Sequence, residues 1–204
     1  MRDLLNISTE MERNNNMNSR TKKITLVALA VAINIVGSKI ALLLHLPIFL
    51  DSIGTMLAGI ALGPVAGGLT ALVGGLINGA LGDIYAIYFS ISGVLMGVLA
   101  GLLFHNKKVN YVSILWKTLI VTLPASALSA CIETFLFGGI TSAAVTTFVI
   151  QALPQTGLKL LGGAFVTQAV TDYVDKLIAI ILVVESMKRL PDKIRFELFA
   201  VVNK

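Results

Sequence analysis

The chain has 204 residues, of which 56% are apolar and 13% are charged, and its mean hydropathy is +0.87. A soluble domain needs about a quarter of its residues charged, so the composition argues against a soluble globular protein, a coiled coil or a disordered chain. The charges gather at the two ends, and they are sparse between Ile24 and Met187. The composition therefore predicts an all-α integral membrane protein.

The apolar runs predict six membrane helices, because a hydrocarbon core about 30 Å thick needs about 20 helical residues. A polar tail over residues 1–23 comes first, a six-helix membrane domain covers residues 24–187, and a basic tail follows over 188–204. The six predicted helices cover 24–44, 52–62, 64–81, 84–104, 112–137 and 158–187. Pro64 marks the break between the second and third of them.

The distribution of basic residues predicts the orientation of this bundle. Of the 16 Lys and Arg residues, 13 lie in the two tails or beside the loop after the fourth helix. Basic residues favour the cytoplasmic side of a membrane, so both termini are predicted to be cytoplasmic and the loops after the first, third and fifth helices to face outward. The positive net charge of +5 is explained by this topology, and no nucleic-acid-binding pattern accompanies it.

Small residues recur every four positions in the third and fourth predicted helices. The repeats are Gly67, Ala71, Gly75 and Gly79 in one helix, and Gly93, Gly97 and Gly101 in the other. Such stripes let helix backbones approach closely in a membrane. Close packing is the favoured interpretation, and space for a large ligand between the helices is the alternative.

Motifs for catalysis are absent from the sequence. No Gly-x-x-x-x-Gly-Lys-Ser/Thr phosphate loop is present, so this chain is not expected to hydrolyse ATP. The two histidines form no metal-binding pair, and the single cysteine, Cys131, is interpreted as a packing residue. Asp172 and Asp175 lack the Gly and Arg that a metal-dependent lipid head-group transferase would show. The chain is therefore predicted not to be an enzyme, and no metal site is expected.

Polar and aromatic residues cluster near the predicted outward ends of the helices, where a buried polar group calls for a reason. They come from three different outward loops and are predicted to converge on one ligand cavity with aromatic walls. The predicted substrate-binding residues are His45, Phe49, Asp51, Asn78, Asp83, Tyr85, Tyr88, Gln155, Lys159 and Gln168.

Several of these residues have a structural interpretation as well. Tyr85 and Tyr88 are equally typical of an interfacial aromatic belt, and Asp51 could cap the short second helix. The side chain of Lys159 could extend to the membrane surface, and His45 could simply mark a helix boundary.

Five charged residues lie deeper in the predicted helices. Asp172 and Lys176 are four residues apart, so they are predicted to form an ion pair on one helix face, beside Asp175. A contact with a partner membrane protein is the alternative. Lys39 and Glu133 could pair with each other or with a ligand.

The stretch LPIFLDSIGTMLAGIALGPVAGGL over residues 46–69 combines an outer loop, a short helix, a Leu-Gly-Pro break and a Gly-rich helix. With the basic tail before a helix that contains Ala28-x-x-x-Ala32, it resembles the substrate-binding S components of energy-coupling factor (ECF) vitamin transporters. The resemblance covers about residues 24–187. Within that family the stretch looks most like the cobalamin-type members.

This resemblance implies a function. An S component captures a vitamin outside a prokaryotic cell membrane and docks on one transmembrane coupling subunit and two ATPase subunits, which hydrolyse the ATP. Ala28 and Ala32 would form the docking face. Cobalamin is the expected substrate, transported as a ligand rather than held as a cofactor, and pantothenate, pyridoxine-type compounds and queuosine precursors are alternatives. A stand-alone, gradient-driven transporter is the competing class. It would be expected to show inverted repeats with paired broken helices, whereas one break is visible here.

Overall fold

The structure is a computed structural model, and it describes residues 2–44, 46, 49–107, 109–140, 144–152 and 157–189. For residues 2–19, 144–146 and 157–159 it describes only the helical backbone. This part of the chain contains seven helices and no strand, so the all-α prediction is confirmed. The helices are α1 (Arg2–Leu43), α2 (Ile53–Leu62), α3 (Pro64–Ala80), α4 (Ile84–Phe104), α5 (Tyr111–Phe137), α6 (Ala144–Gln151) and α7 (Gly157–Arg189).

Two features differ from the predicted helices. The first helix begins at Arg2 instead of Ile24, so it extends through the segment that the charge pattern assigns to the polar tail. The additional helix α6 lies in the predicted outer loop after the fifth helix. Its 8 residues rise only about 12 Å, which is too short to be recognised by a search for membrane spans.

Three helical stretches are long and apolar enough to cross a bilayer, namely Arg20–Leu43, Ile84–Phe104 and Tyr111–Phe137. The helices α2 and α3 are apolar but shorter. Helix α7 has 33 residues and carries charged side chains near its middle. Six crossings and cytoplasmic termini stay predictions.

The break between α2 and α3 has a local cause. Gly63 has a φ of 99°, in a region that favours glycine, and Pro64 occupies the first position of α3, where its missing N–H costs no hydrogen bond. Helix α5 has equally clear ends. The Asn110 side chain accepts a hydrogen bond from the Ser113 amide at 2.7 Å, and Gly138 ends the helix in the left-handed conformation.

The small residues of α3 and α4 face each other, as predicted. A Cβ atom added to Gly97 would lie 2.5 Å from the carbonyl oxygen of Gly67, and Ala71 lies opposite Gly93. Because no side chain separates the backbones there, α3 and α4 form a tightly packed pair in which larger residues cannot be accommodated without movement.

The main apolar core lies at one end of the bundle, where α4 ends and α5 begins. It is built from α2, the second half of α4, the first half of α5 and the second half of α7, and its buried members include Met56, Met96, Phe104, Val121 and Ile180. The opposite end of the same helices is polar and encloses a cavity. The candidate site lies in this second region.

Candidate functional site

A cavity of about 240 Å³ opens between α1, α3, α4, α7 and the segment before α2. Its walls combine apolar side chains with amides, hydroxyls and carboxylates, and the glycines of α3 and α4 form part of the lining. A concave, mostly preformed site with a few convergent polar groups is typical of small-molecule binding.

Five of the ten predicted substrate-binding residues line this cavity, namely Phe49, Asp51, Asn78, Asp83 and Gln168. They come from the segment before α2, the end of α3, the turn before α4 and the middle of α7. The structure therefore brings together residues that are up to 119 positions apart in the chain (168 − 49). Their contacts with a ligand stay a prediction.

The two predicted tyrosines lie outside the cavity lining. The ring of Tyr85 packs edge-on against Phe137 with the centroids 4.8 Å apart, and that of Tyr88 does so at 5.3 Å. Both tyrosines thus join α4 to the end of α5. The aromatic-belt alternative and a role in ligand binding both stay predictions.

The other three predicted residues cannot be placed at the site. His45 and Gln155 lie outside the described residues, and Lys159 belongs to α7 with its side chain undescribed.

The predicted ion pair between Asp172 and Lys176 is present and forms part of a larger network. The Lys176 ammonium lies 2.7 Å from Asp175 Oδ2 and 3.3 Å from Asp172 Oδ1. Ser126 of α5 donates a hydrogen bond to Asp172 Oδ2 at 2.7 Å. All these side chains are buried, and Asp172 and Lys176 also line the cavity. Sequence reasoning identified the pair but did not assign it to the site.

Asp175 also anchors the segment before α2 to α7. The Leu50 amide donates to Asp175 Oδ1 at 3.2 Å, and the Ser52 hydroxyl donates to Oδ2 at 3.3 Å. The Lys176 ammonium lies 5.9 Å from the centre of the Phe49 ring. Ser52 occupies the position before α2 without a side-chain capping bond, so its hydroxyl serves the anchor instead.

This anchored segment has an unusual backbone. Leu50 has a φ of 51°, in the left-handed region that costs about 1–2 kcal/mol for a residue with a side chain. Gly37 of α1 lies directly under it, where an added Cβ would overlap the Leu50 carbonyl oxygen. The hydrogen bonds to Asp175 and the space at Gly37 together hold this conformation.

Asn34 is a cavity residue that sequence reasoning missed as a site residue. Its amide nitrogen donates to the Thr55 hydroxyl at 2.8 Å, and its oxygen accepts from the Gly54 amide at 2.7 Å. Asn34 therefore ties α1 to the first turn of α2 beside the cavity. The sequence does contain a signal for it, because Asn34 is an amide side chain within an otherwise apolar helix.

Glu133 of α5 is fully buried behind the cavity wall. Its Oε2 accepts a hydrogen bond from the Gln168 amide nitrogen at 2.9 Å, while Oε1 has no partner among the described residues. The sequence left two alternatives for Lys39 and Glu133, namely an ion pair with each other or a contact with a ligand. Among the described residues the ion pair is not formed, because the hydrogen-bond partner of Glu133 is Gln168.

The predicted docking residues lie away from the cavity. Ala28 and Ala32 are both exposed on α1, whereas Ala30 is buried against α2, where Gly54 leaves room for its backbone. A free alanine surface on α1 is compatible with docking, which stays a prediction.

The arrangement is suited to binding a small molecule. No group of three or more His, Cys, Asp or Glu side chains that could hold a metal ion occurs in the described part of the chain. The one charged network is internally paired, and the remaining cavity groups are carboxylates, amides and hydroxyls.

A family model described as "ECF transporter, substrate-specific component" matches residues 22–184. The match covers well over half of the chain, including every residue that lines the cavity. No curated protein matches the sequence.

Proposed function

Because the chain belongs to the substrate-specific components of ECF transporters, we propose that it captures a vitamin in the cavity between α1, α3, α4 and α7 and delivers it inward with an ATP-driven module. The observation that carries the proposal is the cavity itself. It gathers Asp51, Asn78, Asp83 and Gln168 from separate elements, as a small-molecule site requires.

The proposed topology has six crossings in a prokaryotic plasma membrane, with both termini in the cytoplasm. Under this topology the cavity lies in the outward half of the bundle, where an external vitamin would reach it, and the apolar core lies in the inward half. The proposed partners are one transmembrane coupling subunit, which docks on Ala28 and Ala32, and two ATPase subunits. ATP hydrolysis takes place in those partners, and this chain is not an enzyme.

Cobalamin is the proposed substrate, on the resemblance of residues 46–69 to the cobalamin-type members. The volume of the cavity, in contrast, favours a smaller ligand. About 240 Å³ is slightly below the range of roughly 300–1,000 Å³ for small-molecule pockets, and a corrinoid would need a wider space. We propose that the segment which moves is the one that Asp175 anchors through Leu50 and Ser52. Pantothenate, a pyridoxine-type compound or a queuosine precursor would need less movement.

The direct test is uptake of labelled cobalamin into proteoliposomes that contain the chain and an ECF module, with and without ATP. Unlabelled vitamins serve as competitors. ATP-dependent uptake that corrinoids alone inhibit supports both the class and the substrate. Uptake of a different vitamin supports the class and rejects cobalamin. Gradient-driven uptake without ATP by the chain alone would favour the secondary transporter instead.

A further inference from the structure

The cavity has an excess of negative charge among the side chains that the structure describes. Asp51, Asp83 and Asp172 line it, and Lys176 is the one basic residue in the lining. Asp175 lies directly behind, 2.7 Å from Lys176. The positive charge of Lys176 is therefore shared by two carboxylates in direct contact and also attracts Asp51, and no described cation forms a direct ion pair with Asp51 or Asp83.

One of these carboxylates, that of Asp83, also lacks a hydrogen-bond donor. Asp83 Oδ1 is buried and has no partner among the described residues, and its side chain makes no capping bond to α4 although Asp83 occupies the capping position. Asp51 is accessible in the cavity wall and accepts a hydrogen bond from its own backbone amide, but none from another described side chain. Buried acceptors without donors cost free energy unless a ligand or water satisfies them.

A second, independent feature is the amide of Gln168, which is only 2% exposed. Its nitrogen donates to Glu133 at 2.9 Å, and this bond fixes the orientation of the amide. The carbonyl oxygen is left without a partner in the described structure, and the residue lines the cavity. Glu133 thus presents Gln168 to the cavity as an acceptor.

The lining serines of α4 and α5 do not supply the missing donors, because their hydroxyls donate within the protein. Ser90 donates to the Ile87 carbonyl at 2.6 Å, Ser92 to the Phe89 carbonyl at 2.8 Å, and Ser129 to the Ser92 hydroxyl at 2.9 Å. Asn78 differs from them, since its oxygen accepts from Ser38 at 3.3 Å and its amide nitrogen remains for one ligand acceptor.

From this imbalance we propose that the ligand presents positive charge or N–H donors to Asp51, Asp83 and Gln168, and that it carries no net negative charge. The inference rests on the proposed function, since it names the chemistry of the molecule that the cavity takes. A free carboxylate or phosphate placed here would meet carboxylates in a poorly solvated site, and like charges brought together in this way reject a ligand. Cobalamin, with its neutral carboxamides, satisfies the rule, and so does an amine of the pyridoxine type. Pantothenate, biotin and folate do not.

The test is direct binding to the full chain in lipid nanodiscs, without the coupling module. The probes are cyanocobalamin, riboflavin, thiamine and pyridoxamine in one group, and biotin, pantothenate and folate in the other. We expect the tightest binder in the first group, with every anionic vitamin at least about tenfold weaker. Tightest binding of an anionic vitamin, or binding of none of the seven, overturns the inference.

A matched ligand series isolates the charge from the shape. For a pyridoxine-type ligand the series is pyridoxamine, pyridoxine and 4-pyridoxate, which differ in one substituent. For a corrinoid it is cobalamin and the monocarboxylate formed by hydrolysis of one of its amides. In the series whose parent binds, the carboxylate is expected to bind at least about tenfold more weakly. Equal or tighter binding of the carboxylate overturns the inference without any substitution in the protein.

Variants then assign the effect to residues. Asp51→Asn with Asp83→Asn should weaken binding of the preferred ligand by about tenfold to a hundredfold and reduce the discrimination against its carboxylate analogue. Glu185→Gln is the control, because Glu185 bonds to Tyr111 and Lys188 in the half of α7 away from the cavity. Unchanged discrimination in the double variant would contradict the assignment.

The two proposals can fail separately. Binding of a neutral or cationic vitamin without ATP-dependent uptake in the reconstituted complex rejects the proposed function and leaves this inference in place. ATP-dependent uptake of an anionic vitamin supports the proposed transport function and rejects the inference about ligand charge.

Discussion

The two ends of the bundle are built from the same helices but solve opposite problems. At one end α4, α5 and α7 enclose a dry core, where Phe104 is 1% exposed and Ile180 is fully buried. At the other end the same helices present Gln168 and Asp172 to a cavity. At the apolar end the side chains satisfy one another by packing. At the polar end some hydrogen-bond acceptors, such as Asp83 Oδ1, have no donor among the described residues. The apolar end is therefore stabilised by packing alone, whereas the polar end is stabilised by paired charges and keeps acceptors that a ligand could use.

The largest expected loss of stability comes from Lys176→Met, at the polar end. Removing the ammonium leaves Asp172 and Asp175 buried without a cation, and breaking a buried ion pair in this way costs about 3–5 kcal/mol of the free energy of unfolding. Thermal unfolding of the purified chain in detergent measures it.

The matched control is Lys188→Met, because the ammonium of Lys188 pairs with Glu185 on the exposed surface at 2.7 Å. Its unfolding temperature should stay near that of the wild type. Adding Asp175→Asn to Lys176→Met should restore part of the loss. If Lys176→Met has the same unfolding temperature as Lys188→Met, the network does not hold α7 to the segment before α2.

Substitution of two phenylalanines allows the two ends to be compared directly, because each ring lies near a lysine ammonium. Phe104 of the core has the Lys117 ammonium 5.2 Å from its ring centre, and Phe49 of the cavity has Lys176 at 5.9 Å. Phe104→Ala should cost about 3–5 kcal/mol of the free energy of unfolding, as expected for a buried aromatic ring. Phe49→Ala should cost about 1 kcal/mol, chiefly its cation–π contact, but should weaken ligand binding.

Denaturant or thermal unfolding of both variants, together with vitamin binding in nanodiscs, measures this contrast. Equal destabilisation by the two substitutions would show that the Phe49 ring is packed as firmly as a core residue and does not belong to an open cavity wall.

A smaller effect is expected where α3 and α4 meet. Gly97→Ala places a methyl group 2.5 Å from the Gly67 carbonyl, so the helices must separate, at a cost of about 1–3 kcal/mol of the free energy of unfolding. Gly162→Ala in α7 is the control, because no neighbouring atom lies within 4 Å of its added Cβ. A stability of Gly97→Ala equal to that of Gly162→Ala would contradict close packing through the glycine stripe.

The sequence predicted most of the helices because their limits are local. Helix α4 begins and ends at Ile84 and Phe104 as predicted, since polar residues and turns flank a single apolar run. Helix α6 was missed because its apolar run has only 8 residues. The start of α1 was missed because charged residues form a helix as readily as apolar ones, and hydropathy does not detect that.

The site was predictable in part, for a physical reason. Asp51, Asn78, Asp83 and Gln168 stand out because a polar side chain near a membrane helix is costly. Ser92 did not, because a serine can satisfy itself on its own helix, as Ser92 does on Phe89. The bond between the Leu50 amide and Asp175 joins residues 125 positions apart, and no local pattern contains such information.

The smallest effect on stability, and a complete effect on transport, is expected at the exposed alanines of α1. Ala28→Trp and Ala32→Trp add bulk at two positions that are exposed in the described part of the structure, so the unfolding temperature and vitamin binding should stay at wild-type values. If the coupling subunit docks there, each tryptophan should abolish both assembly with the ECF module and ATP-dependent uptake. The control is Val166→Trp, at a residue that is 60% exposed on α7 and away from α1.

Copurification with the module and proteoliposome uptake measure the outcome. Normal uptake by both alanine variants would show that α1 is not the docking face, while the assignment of the cavity would be unaffected. Loss of uptake in Val166→Trp as well would mean that the module contacts α7, or that lipid-facing bulk alone blocks transport. Loss confined to the α1 variants would place docking on a surface separate from the cavity and from the core, so that binding, folding and coupling could each be changed without the other two.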